Sequence, residues 1–349
     1  MSFATISGSA PLRGVVVGAG KLGPYWAREL LESPDTELAA WVDLDARRVR
    51  AEADAMGLAE LPTSASLADT LERERPDFLV NVTAPAAHHP VTIAALEAGV
   101  AVLSEKPLAA TLAEAIDMIA AADRTGHLLA VSQNRRYLPG LIAFRETVAQ
   151  LGRLSTLSCE FYRAHREEAA EFLFSFPHPL LLDMSIHLFD GARAITGTSP
   201  HSVFCDAYNP PWSWYAGAAA AHAVFEMSDG LRFSFDGNWA ADGFQTSWTG
   251  SWRAVGELGT ATWDGEGAPR AQGGPGGRIT ASAPVEEAPL AEDRFFGLEA
   301  SLADFVAALR TGRPPAGECH DNVQSLAMCH AAVESAAAGD RVAVAASAA

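Results

Sequence analysis

The chain is short of cysteine, of positive charge and of long apolar runs, and each shortage excludes a class of protein. Its 349 residues hold 4 cysteines, at 159, 205, 319 and 329. No two stand in C-x-x-C spacing, so neither a disulfide framework nor a zinc ribbon is expected. No uninterrupted run of about 18 apolar residues occurs, so no membrane span is expected. Lysine and arginine number 25 against 43 acidic residues, a net charge of −18. That balance argues against nucleic acid and anionic membranes as partners, and the acidity reads as solubility. The start, MSFATISGSAPLR, has no basic segment followed by the apolar core of a signal peptide, which makes a cytoplasmic enzyme the default. No His/Cys/Asp/Glu spacing argues for a metal: Glu318-Cys319-His320-Asp321 reads as a loop capping the next helix. Hydrophobic residues, in contrast, make up 49% and charged residues 19%. This length and composition support sizeable cores and two domains.

The most informative stretch is Arg13 to Asp43. Gly14–Val17 is a Val-rich run suited to a buried parallel strand. Gly18, Gly20 and Gly23 follow in G-x-G-x-x-G spacing, with Lys21 and Leu22 between them. Pro24 falls in the first turn of the next helix, where a missing N–H does least harm. The glycines provide a tight turn, a close approach for a pyrophosphate and close helix–strand packing, and the helix N-terminus faces the anion. Asp43, 20 residues after Gly23, is placed to accept from a ribose 2′-OH. This predicts a dinucleotide site, with NAD favoured and NADP possible because Arg47 and Arg48 follow one turn later.

Strand and helix alternate up to Pro139. Asp45 caps a helix to Met56, Ser66-x-x-Asp69 opens another, and Thr111-x-x-Glu114 forms a capping box. Strands are expected at 78–82, 100–103 and 128–132, and a helix begins at His88 or His89. The rhythm then changes. A strand at 154–163 and a helix at 181–195 are followed by successive strands, with Ser228-Asp229-Gly230 as a hairpin turn between 221–227 and 231–235. Further strands are expected at 246–255 and 260–263, then a Gly/Pro-rich loop at 264–277 and helices at 296–309 and 321–338. The fold class is therefore α/β: a doubly wound parallel sheet of Rossmann type over 1–139, then an α+β domain over 140–349 with an open, largely antiparallel sheet. One face of that sheet packs on helices. The other carries Phe233 and Phe235 or their neighbours and needs cover, so a homodimer or homotetramer is expected.

Five segments carry a resemblance: GAGKLG at 18–23, ALEAGVAVLSEKPLA at 95–109, NRRYLP at 134–139, LLLDMSIHLFDGARAITG at 180–197 and ESAAAGDRV at 334–342. Together they span almost the whole chain, which resembles the Gfo/Idh/MocA oxidoreductases. The resemblance implies hydride transfer between NAD(P) and a secondary alcohol of a sugar, sugar derivative or cyclic polyol.

Lys106 follows a strand's carboxyl end, where open α/β sheets bind ligands, and can stabilise a developing alkoxide. Asp183 and His187, four apart in a helical pattern, share a face; histidine suits the hydroxyl proton and the carboxylate can orient it. By resemblance they match the family's D-x-x-x-H pair, with Lys106 on the same oxygen. Thr83, Pro85, His88 and Glu105 lie where the chain should pass the cofactor. Arg135, Arg163 and His178 are substrate candidates; for each, a purely structural role is the alternative. Phe176–Leu180 lacks the glycines the family usually places before this helix. Trp212-Ser213-Trp214-Tyr215 reads as either a pocket lid or a subunit contact. Asp190 reads as structural. The leading function is NAD-dependent dehydrogenation. The alternatives are a dinucleotide-binding sensor without turnover and a redox-assisted glycoside-cleaving or epimerising enzyme.

Overall fold

Strand β1 (Leu12–Val17) is buried along nearly its whole length, as its Val-rich run predicts. In the computed structural model, which describes residues 2–166, 171–273, 284–290 and 297–345, it is central to the first of two compact units. That unit comprises Met1–Asn134 and Phe295–Val323; the second comprises Arg135–Arg294 and Gln324–Ser347. Both are discontinuous in sequence, whereas chain order alone suggests one cut between 139 and 140.

In the first unit, β2 (Thr36–Val42), β3 (Thr63–Ser64), β4 (Phe78–Asn81), β5 (Ala101–Ser104) and β6 (Leu129–Val131) join β1 in the order β3-β2-β1-β4-β5-β6. Every pairing is parallel. The order reverses beside β1, which opens a crevice at the strands' carboxyl ends. The connecting helices are α1 (Gly23–Glu32), α2 (Ala46–Ala55), α3 (Leu67–Glu74), α4 (Pro85–Glu97) and α5 (Leu112–Thr125). Their starts follow the local chemistry: Asp45 accepts from the amides of Arg47 and Arg48, Ser66 from Asp69, and Thr111 with Glu114 forms the full capping box. Helix α4 starts at Pro85, earlier than either histidine, because proline at the first position loses no N–H bond. Strand β3 has two residues, too few to leave a periodic signal.

After α6 (Pro139–Val148), the second unit contains β7 (Leu154–Tyr162), α7 (Ser185–Thr196), β8 (Pro200–Tyr208), β9 (Ala220–Met227), β10 (Arg232–Asn238), β11 (Ser251–Gly256), β12 (Gly259–Trp263), β13 (Arg270–Gly273) and β14 (Val285–Glu287). The remaining elements are α8 (Gly297–Thr311), α9 (Cys319–Ala338) and β15 (Val342–Ala343). The nine strands run β14-β13-β12-β11-β7-β10-β9-β8-β15, and only β7 and β10 pair in parallel. Asp229 and Gly230 take the left-handed backbone that the Asp-Gly turn requires, with φ of 60° and 78°. Residues 246–250 form a loop before β11 instead of extending it, and part of the Gly/Pro-rich segment is strand β13. Residues 274–277 of that segment, and Phe296 at the expected helix start, lie outside the described residues.

Helix α7 covers one face of this sheet. Phe189 meets the rings of Phe225, Phe235 and Phe233 at 4.8, 5.3 and 6.1 Å between centroids. Each fully buried phenylalanine contributes about 1.5–3 kcal/mol. Phe233 and Phe235 are thus core residues. Their neighbours Arg232, Ser234 and Asp236 face outward, along with the exposed Phe204, Tyr208 and Val224. Helix α8 belongs to the first unit: Leu302, Phe305, Val306 and Leu309 join Val16, Trp26 and Leu30 in its core, with Phe305 5.8 Å from Phe78. Among the described residues, no helix is long and apolar enough to cross a membrane.

Candidate functional site

The three motif glycines are needed for three different reasons. Gly18 has φ +113°, and a Cβ there would lie 2.7 Å from the Val82 carbonyl oxygen. A Cβ on Gly23 would lie 2.5 Å from the Gly18 oxygen, so this glycine lets α1 pack against the turn. A Cβ on Gly20 would meet nothing within 4 Å, which leaves open backbone beside the cleft. No side chain caps α1 at Leu22; Pro24 has no amide proton and the Gly23 amide donates to the Gly20 carbonyl at 3.0 Å, so an anion here would meet the positive end of the helix at the turn. Lys21 and Leu22 are exposed. Beside the turn lies a cleft of about 570 Å³, lined mostly by apolar side chains and bordered by Gly18, Gly20, Asp43, Arg48 and Thr83. Its size and lining suit the adenosine half of a dinucleotide.

Asp43 fixes this turn as well as bordering the cleft. Its Oδ2 accepts from the Ala19 amide at 2.6 Å and its Oδ1 from the Asp45 amide at 2.9 Å. A carboxylate has further lone pairs for a ribose hydroxyl and would repel a 2′-phosphate. NAD is therefore expected to outperform NADP in kcat/KM. Asp43→Asn keeps an acceptor for the Ala19 amide, removes the repulsion and leaves Arg48 in the cleft. It should shift the NAD/NADP ratio of kcat/KM toward NADP by roughly tenfold, about 1.4 kcal/mol. An unchanged ratio would show that Asp43 does not read the ribose.

Three residues placed beside the cofactor by chain order also support the framework. His88 is buried, its Nδ1 2.7 Å from the Pro107 carbonyl and its Nε2 3.0 Å from the Thr83 carbonyl. It holds the loop after β4 against the loop after β5. Glu105 is buried, accepts from Trp26 Nε1 at 2.8 Å and from the Lys106 amide at 3.2 Å, and its carboxyl is pushed upward by burial. Thr83 donates its hydroxyl to Asn81 Oδ1 at 2.7 Å while lining the cleft. Pro85 opens α4, and the peptide between Lys106 and Pro107 is cis.

Burial pushes the His88 imidazole below its ordinary 6.5, against the pull of its carbonyl partners. A folded pKa below the unfolded one adds stability above about pH 6.5. That stability is lost as pH falls through the folded value, because the unfolded chain takes up the proton first. Burial shifts His127 in the same direction. The calorimetric Tm is therefore expected to fall as pH drops from about 7 to about 5, and His88→Gln should flatten that slope. A slope identical in the variant would assign the acid sensitivity elsewhere.

In the second unit, the segment before α7 is not a regular α-helix. Leu180–Met184 forms a π-helical turn that carries Asp183, and His187 follows in the first turn of α7. Such turns are frequent at functional sites. Leu182, Asp183 and His187 are half-buried, and from 185 to 193 His187 is the one residue that is not buried. Burial lowers the Arg135 pKa to about 10, partly offset by Cys159 and Asp183. Burial raises the Tyr215 pKa to about 12, with a further contribution from Asp183. The Asp183 carboxylate thus acts on both Arg135 and Tyr215. Arg135 also donates to the Trp248 carbonyl.

Sequence reading singled out Trp214 and Tyr215 but missed Trp239, Trp248 and the packing of His165. His165 stacks on Trp239 with centroids 5.1 Å apart, meets Trp248 edge-on at 5.3 Å, and accepts at its carbonyl from Tyr215 Oη at 2.6 Å. Arg163 lies 4.3 Å over the Trp248 ring and donates to the Thr246 carbonyl at 2.7 Å. Trp214 and Tyr215 pack against this wall, whereas Trp212 is largely exposed. The loop at 216–218 hydrogen-bonds to Phe174 and Pro177, securing the segment that replaces the family's glycines. Within that segment, burial lowers the pKa of His178. Arg136 is structural: it makes a two-pronged ion pair with buried Asp190 at 2.7 and 2.6 Å, and Ser325 adds a bond at 2.7 Å.

The glycine turn, the cleft beside it and Asp43 at its rim are the arrangement of a dinucleotide-dependent oxidoreductase. Residues 12–133 match the oxidoreductase family with an NAD-binding Rossmann fold, and residues 144–262 match the GFO/IDH/MocA C-terminal domain. The chain belongs to the Gfo/Idh/MocA family, and its first domain is an NAD-binding Rossmann domain. It is similar to D-apiose dehydrogenase of Paraburkholderia graminis, 27% identical over 95% of this chain and 89% of that one. It is also similar to the rhizopine catabolism protein MocA of Rhizobium meliloti, 27% identical over 91% of this chain and 93% of that one. An oxidoreductase from Agrobacterium radiobacter, solved in complex with NAD+, L-tartaric acid and magnesium, shares the fold at a TM-score of 0.83 and 20% identity. That match covers 95% of this chain and 98% of that one.

Proposed function

We propose that the protein interconverts a secondary alcohol of a sugar, sugar derivative or cyclic polyol with its ketone, using NAD. The observation that carries this reading is the exposure pattern of α7: one histidine remains reachable on a buried helix, beside a carboxylate on a π-turn. The similarity to a D-apiose dehydrogenase supports the sugar class. When bound, NAD supplies the hydride acceptor. His187 takes the hydroxyl proton as general base, Asp183 orients the imidazole and stabilises its charged form, and Lys106 stabilises the developing alkoxide. Arg135, held at the Trp248 carbonyl, offers a guanidinium suited to a polyhydroxylated ring, while Trp239 and Tyr215 stack within the wall behind it. The test is a panel of sugars and cyclic polyols with NAD, and of their ketones with NADH, followed at the nicotinamide absorbance. Turnover on one member is expected. No net change on any member, with NAD binding intact, would overturn the reading in favour of a sensor or of a cycle that regenerates its own cofactor.

The outward sheet face supports a homodimer or homotetramer, since it exposes Phe204, Tyr208 and Val224 across adjacent strands β8 and β9. Light scattering should give at least twice the chain mass at micromolar concentration; a monomer would sink this reading. The four cysteines are all unpaired, which supports a reducing, cytoplasmic compartment.

A further inference from the structure

The residues just before α9 are tied to the edge strand β6. The Val131 amide donates to the Gly317 carbonyl at 2.8 Å, and Ala130 and Glu318 form an antiparallel bridge. This fixes the backbone from which three different donor side chains converge. Cys319 Sγ is 3.2 Å from Glu318 Oε1 and 3.4 Å from His320 Nδ1, and those two atoms are 2.7 Å apart. The opposite ring nitrogen, His320 Nε2, is 3.3 Å from the Asp123 carboxylate near the end of α5. A cavity of about 80 Å³ opens beside them, walled by Phe3, Asp123 and His127 as well as by the three donors. It lies by Leu128 and Leu129, where β6 begins, whereas the glycine turn follows a strand's carboxyl end.

We propose that Glu318, Cys319 and His320 bind one divalent transition-metal ion, zinc by preference. Sulfur, imidazole and carboxylate together are a zinc-type donor set. With zinc–sulfur and zinc–nitrogen bonds of about 2.3 and 2.0–2.1 Å, tetrahedral ligand atoms stand roughly 3.5 Å apart. The two sulfur distances nearly meet that spacing. The nitrogen–oxygen pair, now hydrogen-bonded, must open by somewhat more than about half an ångström. Asp123 supplies what metal-bound histidines almost always have, a carboxylate on the other ring nitrogen that fixes the tautomer. His127 lines the same cavity as a further nitrogen donor. The positive end of α9 opposes a cation, but Glu318, the Cys319 thiolate and Asp123 bring three negative charges against two positive ones. Glu318 also caps α9, accepting from the His320 amide at 3.0 Å through Oε2, which leaves Oε1 toward the ion. The site would act as a clip between the start of α9 and the end of α5, separate from the nicotinamide chemistry.

The test uses the full chain stripped with a chelator and then titrated with cobalt(II) and with zinc. One equivalent of cobalt should give a thiolate-to-metal charge-transfer band and tetrahedral d–d bands, which zinc then bleaches. Zinc should also raise Tm by linkage. Cys319→Ser should abolish the charge-transfer band and the Tm shift, and Asp123→Asn should keep the band while weakening affinity about 10–100-fold. A cobalt spectrum without a thiolate band, or a zinc-induced Tm shift equal in Cys319→Ser, would overturn the proposal. Should Cys319→Ser not fold, the wild-type band and the Asp123→Asn affinity decide: their absence rejects the site. NAD binding by the stripped protein should be unchanged, so the outcome is independent of the dehydrogenase reading.

Discussion

Replacing His187 with alanine is expected to lower turnover on the order of 10²–10⁴-fold, the usual loss for a positioned acid–base group. NAD affinity should stay at the parent value, because Gly18, Gly20, Gly23 and Asp43 belong to the other unit. Asp183→Asn should cost less, since the histidine remains and loses only an orienting charge. Lys106→Ala should reduce turnover by removing alkoxide stabilisation, and raise KM where the ammonium also holds the ground-state hydroxyl. The checks are NAD binding, then steady-state oxidation of the best substrate by each folded variant. Near-parental turnover in His187→Ala would move the base assignment to Lys106, and near-parental turnover in both variants would discard the constellation.

A Gly20→Ala variant should fold with the parental Tm yet bind NAD at least about tenfold more weakly, roughly 1.4 kcal/mol. Its Cβ meets no protein atom within 4 Å but occupies the space through which a pyrophosphate approaches the backbone. Gly18→Ala should behave differently. Its φ of +113° and the Val82 carbonyl at 2.7 Å make the methyl group a problem before any ligand arrives. Stability should fall by on the order of 1–3 kcal/mol, along with binding. Isothermal titration with NAD and a thermal melt of each variant separate the two cases. Parental affinity in folded Gly20→Ala would remove the pyrophosphate from this turn.

What could be read from the sequence was what is settled locally. The glycine turn, its strand and helix, and the caps at Asp45, Ser66 and Thr111 depend on residues within a few positions of one another. Asp183 and His187 stood out through their spacing and the resemblance, but the π-turn that carries Asp183 has no periodic signature. His88 was placed beside the cofactor, yet its partner Pro107 lies 19 residues away and gives it a framework role. The same limit hid the bond between Ser325 and Asp190, 135 residues apart, and the reach of His320 to Asp123 across 197. Trp239 and Trp248 carry no local signal, and only the packing of His165 against both brings them into one wall. Alternation along β10 showed that one face is apolar, and only packing against α7 shows which.

The membership of α8 in the first unit sets a schedule for biosynthesis. All six strands of the parallel sheet have been made by residue 131, but Leu302, Phe305, Val306 and Leu309, which complete the core around Trp26 and Phe78, are made much later. At about 5–20 residues per second, the interval is roughly 10–35 s. Throughout it, the nascent sheet lacks one wall of its interior and exposes apolar surface of the kind that chaperones bind. A fragment ending at residue 134 would remain in that state permanently, so the dinucleotide-binding half cannot be excised by cutting the chain once.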